Sequence, residues 1–254
     1  MLTQSKIKEE LKPVFKQLRT PTIMHCYEEE ANRARSESWT YEAYLHQVLS
    51  LESETRTTNR IVGLLKASRL PLEKTLDTFD LNRLPLKLRQ QVKVLTDGSF
   101  LDRRENVLAF GNPGSGKTHL VCAIGHELIN QGRKVLFKSC NMLVQELLIA
   151  KRDLLLKKFL KRLSAYDVLI IDDIGYVQQS REEMEVLFTL LAQRYERGSI
   201  MLTSNLPFSK WEQIFKDPMT TAAAIDRLVH HSLILEMNLK SYRLEAAKKQ
   251  KTQE

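Results

Sequence analysis

The chain has 254 residues, with 39 Lys and Arg against 31 Asp and Glu, so its formal charge is +8. Its 43% hydrophobic content, nine glycines and seven prolines exclude general disorder, collagen and low-complexity linkers. No apolar run approaches the roughly 18 residues of a membrane span, no signal core opens the chain, and Cys26, Cys122 and Cys140 are scattered, so the expectation is a reduced cytoplasmic protein.

Residues 1–70 read as a helical N-terminal domain. Apolar residues recur at three and four, as in Tyr41, Tyr44, Leu45, Val48 and Leu49, and again in Ile61, Val62, Leu64 and Leu65. Thr40 is placed to cap the helix starting near Tyr41, and Pro71 closes the zone. The aromatics Tyr27, Trp39, Tyr41 and Tyr44 read as core rather than as a nucleobase platform. Residues 71–104 form a linker, with a helix expected over Pro85–Leu95. From 105 to 254 the pattern alternates. Strands are expected at Val107–Phe110, Val135–Lys138, Val168–Asp172, Ile200–Ser204 and Leu233–Met237. Helices are expected at Lys117–Asn130, Asn141–Leu163, Arg181–Arg197, Lys210–Phe215 and Thr220–His230. Such alternation predicts an α/β fold with a five-stranded parallel sheet covered on both faces.

One motif carries strong chemistry. Gly111, Asn112, Pro113, Gly114, Ser115, Gly116, Lys117 and Thr118 fit G-x-x-x-x-G-K-[ST] between a strand and a helix, the setting of a nucleotide-binding P-loop. Glycines let successive N–H groups turn onto phosphate oxygens, and the helix N-terminus adds its dipole. Lys117 then reaches the β- and γ-phosphates of ATP and Thr118 ligates Mg²⁺. The buried strand Val168–Asp172 delivers Asp172 to the metal, and Asp173 follows to orient the attacking water. Asp173 is one methylene shorter than Glu, and a loop cap is its plainer role. Asn205, after the strand Ile200–Ser204, faces the γ-phosphate only if that strand lies between those of Gly111 and Asp172. Otherwise it is a turn residue. Arg227 lies on a late helix, near the surface.

The charge is localised. Residues 151–165 carry six basic groups and one acidic, +5 of the +8. Lys151, Arg152, Lys157, Lys158, Lys161 and Arg162 therefore read either as a solvated helix or as a phosphate-tracking DNA surface. The six histidines show no metal-binding spacing.

Together the runs GNPGSGKTHL, VLIIDDIGY, LTSNLPFSKW and AAAIDRLVHHS, with the stretch YEEEANRARSESWTYEAYLHQVL and the linker KTLDTFDL, resemble the IstB-like transposition helper ATPases of insertion sequences. These are AAA+ proteins akin to the helicase loader DnaC and the initiator DnaA. The resemblance implies an AAA+ core lacking the usual lid helices. It implies Asp173 as catalytic acid where most AAA+ proteins have Glu, Asn205 as sensor I, and Arg227 as an arginine finger. His119 joins the nucleotide loop and Phe79 lies near the adenine. It places residues 141–163 against DNA. It implies an ATPase that forms ATP-dependent homo-oligomers on duplex DNA, remodels that DNA, and recruits a partner transposase. A DnaC-like helicase loader is the alternative. A metabolic kinase and a scaffold that only binds ATP are weaker alternatives.

Overall fold

The computed structural model describes residues 4–175, 180–211 and 218–242. Contacts divide the chain into two units, Met1–Gly63 and Leu64 onward.

The first unit holds α1 (Gln4–Leu18), α2 (Pro21–Ser36) and most of α3 (Tyr41–Ser68). Pro21 suits the first turn of α2, where no N–H partner is needed. Thr20, before it, gives no side-chain cap. Glu52 of α3 does that work instead: its carboxylate accepts the N–H groups of Thr22 (2.8 Å) and Ile23 (3.1 Å). Arg56 holds its other oxygen at 2.7 Å. Burial pushes the Glu52 pKa up, but Arg56 and the two N–H donors outweigh it and hold the carboxyl below its ordinary value. Thr40 Oγ1 accepts the Ala43 N–H, as capping predicts. Tyr27, Trp39 and Tyr44 are half-buried, whereas Tyr41 is 93% exposed and does not belong to a core.

In the second unit, residues 71–104 contain a 3-10 turn at Leu81–Arg83, α4 (Leu86–Thr96) and α5 (Ser99–Asp102). Then follow β1 (Asn106–Phe110), α6 (Lys117–Asn130), β2 (Val135–Ser139), α7 (Cys140–Arg152) and α8 (Leu156–Leu163). The remaining elements are β3 (Val168–Ile174), α9 (Arg181–Arg194), β4 (Ser199–Ser204), α10 (Pro218–Val229) and β5 (Ser232–Glu236). All pairings are parallel and the strand order is β2-β3-β4-β1-β5. Thus β4 inserts between β1 and β3.

The alternation of side chains along the strands serves two helix layers. Leu169 and Ile171 join the core cluster built with α7, α9 and α10, while α6 packs on the sheet with α4 beside it. Each fully buried leucine or isoleucine in these layers contributes roughly 1.5–3 kcal/mol. Ser180 starts α9 with a reciprocal capping box to Glu183. Arg194 ends it, only 2% exposed. Its guanidinium donates to the carbonyls of Leu163, Tyr166, Asp167 and Ser199, tying α9 to the starts of β3 and β4. Burial pulls its pKa down to about 10.

Two helix expectations need correction. The single helix Asn141–Leu163 is two helices, α7 and α8, because the chain turns at Asp153–Leu155. The Leu155 N–H bonds to the Ala150 carbonyl (2.7 Å) and the Leu154 N–H to that of Lys151 (3.1 Å), a Schellman motif. Its left-handed position, normally glycine, is Leu154 at φ 58°. A leucine there costs about 1–2 kcal/mol. Helix α9 stops at Arg194 rather than Arg197, since Tyr195 turns extended. Of the helix expected at Lys210–Phe215, Lys210 ends a 3-10 turn, Phe208–Lys210, and residues 212–217 lie outside the described residues. The basic tail beyond Tyr242, where the lid question falls, also lies outside them.

Candidate functional site: a P-loop at the carboxyl edge of the sheet

β1 ends at Phe110 and the chain swings into the glycine-rich loop before α6. Two glycines are demanded by geometry. A Cβ on Gly111 (φ 152°) would sit 2.2 Å from the Met237 carbonyl oxygen, and one on Gly116 (φ 96°) would sit 3.0 Å from the Phe79 ring. The segment after β5 packs on the loop: Met237 N–H donates to the Phe110 carbonyl (2.6 Å) and Tyr242 N–H to that of Gly114 (3.0 Å). Lys117 is buried and its Nζ donates to the loop carbonyls of Gly111 (2.8 Å) and Asn112 (2.9 Å). The Ser115 hydroxyl is buried with no partner among the described residues.

The acids stand on β3, whose end bulges. Ile171 pairs with Leu202 but Ile174 with Ser204, so Asp172 and Asp173 together face one residue of β4, Thr203. Asp173 takes the left-handed conformation (φ 65°) and is exposed. Thr203 joins the two: its hydroxyl donates to Asp172 Oδ1 (2.6 Å) and accepts the Asp173 N–H (2.8 Å). Asp172 Oδ1 also accepts from Thr118 Oγ1 at 2.8 Å. The bulge, the threonine and the P-loop hydroxyl thus meet on one carboxylate oxygen. Such an oxygen donor set suits a hard divalent cation such as Mg²⁺. Asn205 follows β4, half-buried, its Oδ1 shielded and without a partner among the described residues.

A cavity of about 310 Å³ opens beside the loop, lined by Gly114, Gly116, Lys117 and Thr118 and, from the linker, Phe79 and Arg83. His119 Nε2 lies 3.0 Å from the Thr75 carbonyl and 3.1 Å from the Thr78 hydroxyl. The His119 ring meets Phe79 edge-on at 5.2 Å, holding the linker over the loop. Tyr242 closes the same cavity, stacked under Arg83 at 5.1 Å. The loop cradle, the orphaned serine hydroxyl and the adjacent ring-lined space fit a nucleotide.

The remaining predicted residues lie apart. Arg227 is half-buried, its guanidinium 4.7 Å above the Phe188 ring and bonded to the Ala223 carbonyl. Of the basic group, Lys151 pairs with Glu185 and Arg152 with Asp153, and Arg162 stacks on Phe159. Lys157, Lys158 and Lys161 are exposed, with no acid paired to them among the described residues. Lys158, Lys161 and Arg162 line a larger cleft of about 1070 Å³, joined by Lys66, Arg69 and Lys138. Glu196, His230 and His231 come together on the surface, an arrangement hidden by their sequence separation. Sequence reasoning missed Thr203, whose one available signal is a hydroxyl directly after the apolar run Ile200–Leu202.

The strand order and the loop define a P-loop ATPase core of the AAA+ type, with an additional strand between the loop strand and the acid strand. The chain belongs to the family of IstB-like ATP-binding proteins, whose model matches residues 14–251. An insertion sequence ATP-binding protein of Sinorhizobium fredii is 43% identical over 91% of this chain and 78% of its own length. The insertion sequence IS21 ATP-binding protein of Pseudomonas aeruginosa is 38% identical over 94% of this chain and 91% of its own. Among solved structures, the DnaC helicase loader superposes with a TM-score of 0.57 at 19% identity, over 66% of this chain and 98% of that one. DnaA of Aquifex aeolicus with AMPPCP gives 0.55 at 20% identity, over 73% of this chain and 56% of that one. These two likenesses concern the fold.

Proposed function

We propose that this chain is an ATP-hydrolysing transposition helper that oligomerises on duplex DNA, remodels it and recruits a transposase. The observation that carries the reading is the position of β4 between β1 and β3. It sets the Thr203 hydroxyl against Asp172, whose carboxylate also meets Thr118 of the P-loop. The Gly111–His119 loop binds ATP through its N–H groups and Lys117, with Phe79 against the base. Thr118 and Asp172 hold Mg²⁺, which when bound neutralises phosphate charge. Asp173 orients the attacking water and Asn205 bonds to it or to the γ-phosphate. Arg227 leaves Phe188 to enter the neighbouring protomer's site, so ATP favours assembly. Lys157, Lys158, Lys161 and Arg162, flanked by Lys151 and Arg152, track DNA phosphates. Residues 1–70 form the recruiting domain, 71–104 the linker and 105–254 the ATPase domain. Two insertion-sequence relatives match more than nine-tenths of the chain, and the family model begins at residue 14 and so takes in α2 and α3, which favours a helper over a helicase loader.

The test is Lys117→Ala. Losing a charged donor to phosphate weakens ATP binding by about 100-fold. Fluorescent-ATP titration and sedimentation with long duplex DNA should both show the loss. ATP-dependent assembly at the wild-type level would refute the reading.

A further inference from the structure

The corner between α7 and α8 carries two features that folding does not need. Leu154 is 92% exposed, and it occupies the left-handed position of a Schellman turn that glycine fills without strain. An exposed leucine gains no burial there, and its Cβ adds strain. Leu155 beside it is 52% exposed. Around this apolar tip stand Lys151 and Arg152 at the end of α7, paired with Glu185 and Asp153, and the exposed Lys157 and Lys158 at the start of α8. Cations ringing a protruding aliphatic side chain match a duplex: phosphates meet the ring and the base stack meets the tip. A hydrophobic protein partner would instead leave Lys157 and Lys158 without complementary charge.

We propose that Leu154 is a wedge that inserts between base steps of duplex DNA, unstacking them and bending the duplex while the surrounding cations hold the phosphates. The proposal rests on the DNA-binding reading above. It adds that deformation and affinity are carried by different side chains. Lysines set the salt-dependent attachment. The leucine converts attachment into a kink and holds little affinity of its own. The left-handed turn gives the tip its direction, since a helical residue at 154 would extend α7.

The experiment uses the full chain with Mg²⁺ and ATP, and long duplex DNA carrying 2-aminopurine at regular intervals and a dye at each end. Wild-type protein should raise 2-aminopurine fluorescence several-fold and bring the ends together by energy transfer. Leu154→Gly suits the turn, so it should melt no lower than wild type. It should bind within about threefold of wild-type affinity with an unchanged salt slope, yet lose most of the fluorescence rise and the end-to-end approach. Leu154→Met should restore both. Lys157→Ala with Lys158→Ala should do the reverse, flattening the salt slope by about one to two units while saturating DNA still fluoresces. Full unstacking and bending by Leu154→Gly would overturn the wedge and leave DNA binding intact. Absence of any duplex binding by wild type would overturn the DNA reading and the wedge with it. Dissociation by Leu154→Gly of an assembly that wild type forms without DNA would make the tip a protein contact and overturn the wedge.

Discussion

Thr203→Val is the sharpest perturbation of the ATP site that leaves every direct phosphate contact in place. Valine keeps the shape and β preference of threonine but removes one oxygen. Two hydrogen bonds go with it: the 2.6 Å donation to Asp172 and the 2.8 Å acceptance from the Asp173 N–H. A bond to a charged acceptor is worth about 1.5–3 kcal/mol and a neutral one about 0.5–1.5 kcal/mol. Asp172 is half-buried and Asp173 exposed, so water replaces part of both. The expected loss is about 2 kcal/mol, or roughly 4–8 °C in the melting of a unit of this size. The variant also frees Asp173 from its left-handed conformation, so turnover should fall about tenfold or more while ATP affinity changes little. Calorimetry without nucleotide and steady-state phosphate release are the assays. Thr203→Ser keeps the oxygen and should recover most of both. If valine melts and turns over like wild type, the link through Thr203 does not position the acids.

Three further outcomes are expected. Arg227→Ala should leave ATP binding to the single chain intact and cut assembly-dependent turnover by about 10³, the scale of a finger supplied in trans; undiminished phosphate release would remove that assignment. Glu52→Gln should lower the protection of the Thr22 and Ile23 amides in hydrogen exchange at neutral pH. Because the Glu52 pKa lies below its unfolded value, its contribution is present above about pH 4.3 and is lost as pH falls through the folded pKa. The glutamine variant should therefore show a flatter acid dependence, and identical profiles would count against the cap. Burial pushes the Cys122 thiol up to about 12, and Cys140 is also buried, so a thiol reagent at pH 8 should modify Cys26 alone until denaturant is added. Rapid reaction of all three in the native protein would contradict the buried α6 and α7.

The legible parts of the sequence were those set by local period and composition. The apolar runs of β1, β3 and β4 and the glycine spacing of residues 111–118 announce a buried sheet with a phosphate loop, and Pro85 marks the start of α4. The illegible parts depend on contacts between distant segments or on strain. Simple alternation would send Asp172 and Asp173 to opposite faces; the bulge opposite Thr203 is set by the register of β4, thirty residues on. Leu154 carries no glycine signal, so nothing local announced the break between α7 and α8. Arg194 reads as the polar end of an amphipathic helix, and only the packed strands show the four carbonyls it serves. Glu52 reads as a solvated charge on a long helix until α2 folds back onto it.

The contact of Met237 with Gly111 bears on how loop variants are interpreted. Glycine at that position is required by the protein's own backbone before any nucleotide arrives. An alanine at 111 would dislodge the segment that follows β5, and the damage would register as lost ATP binding even though no phosphate contact had been touched. Genetic evidence gathered from glycine replacements in this loop would therefore mix two causes.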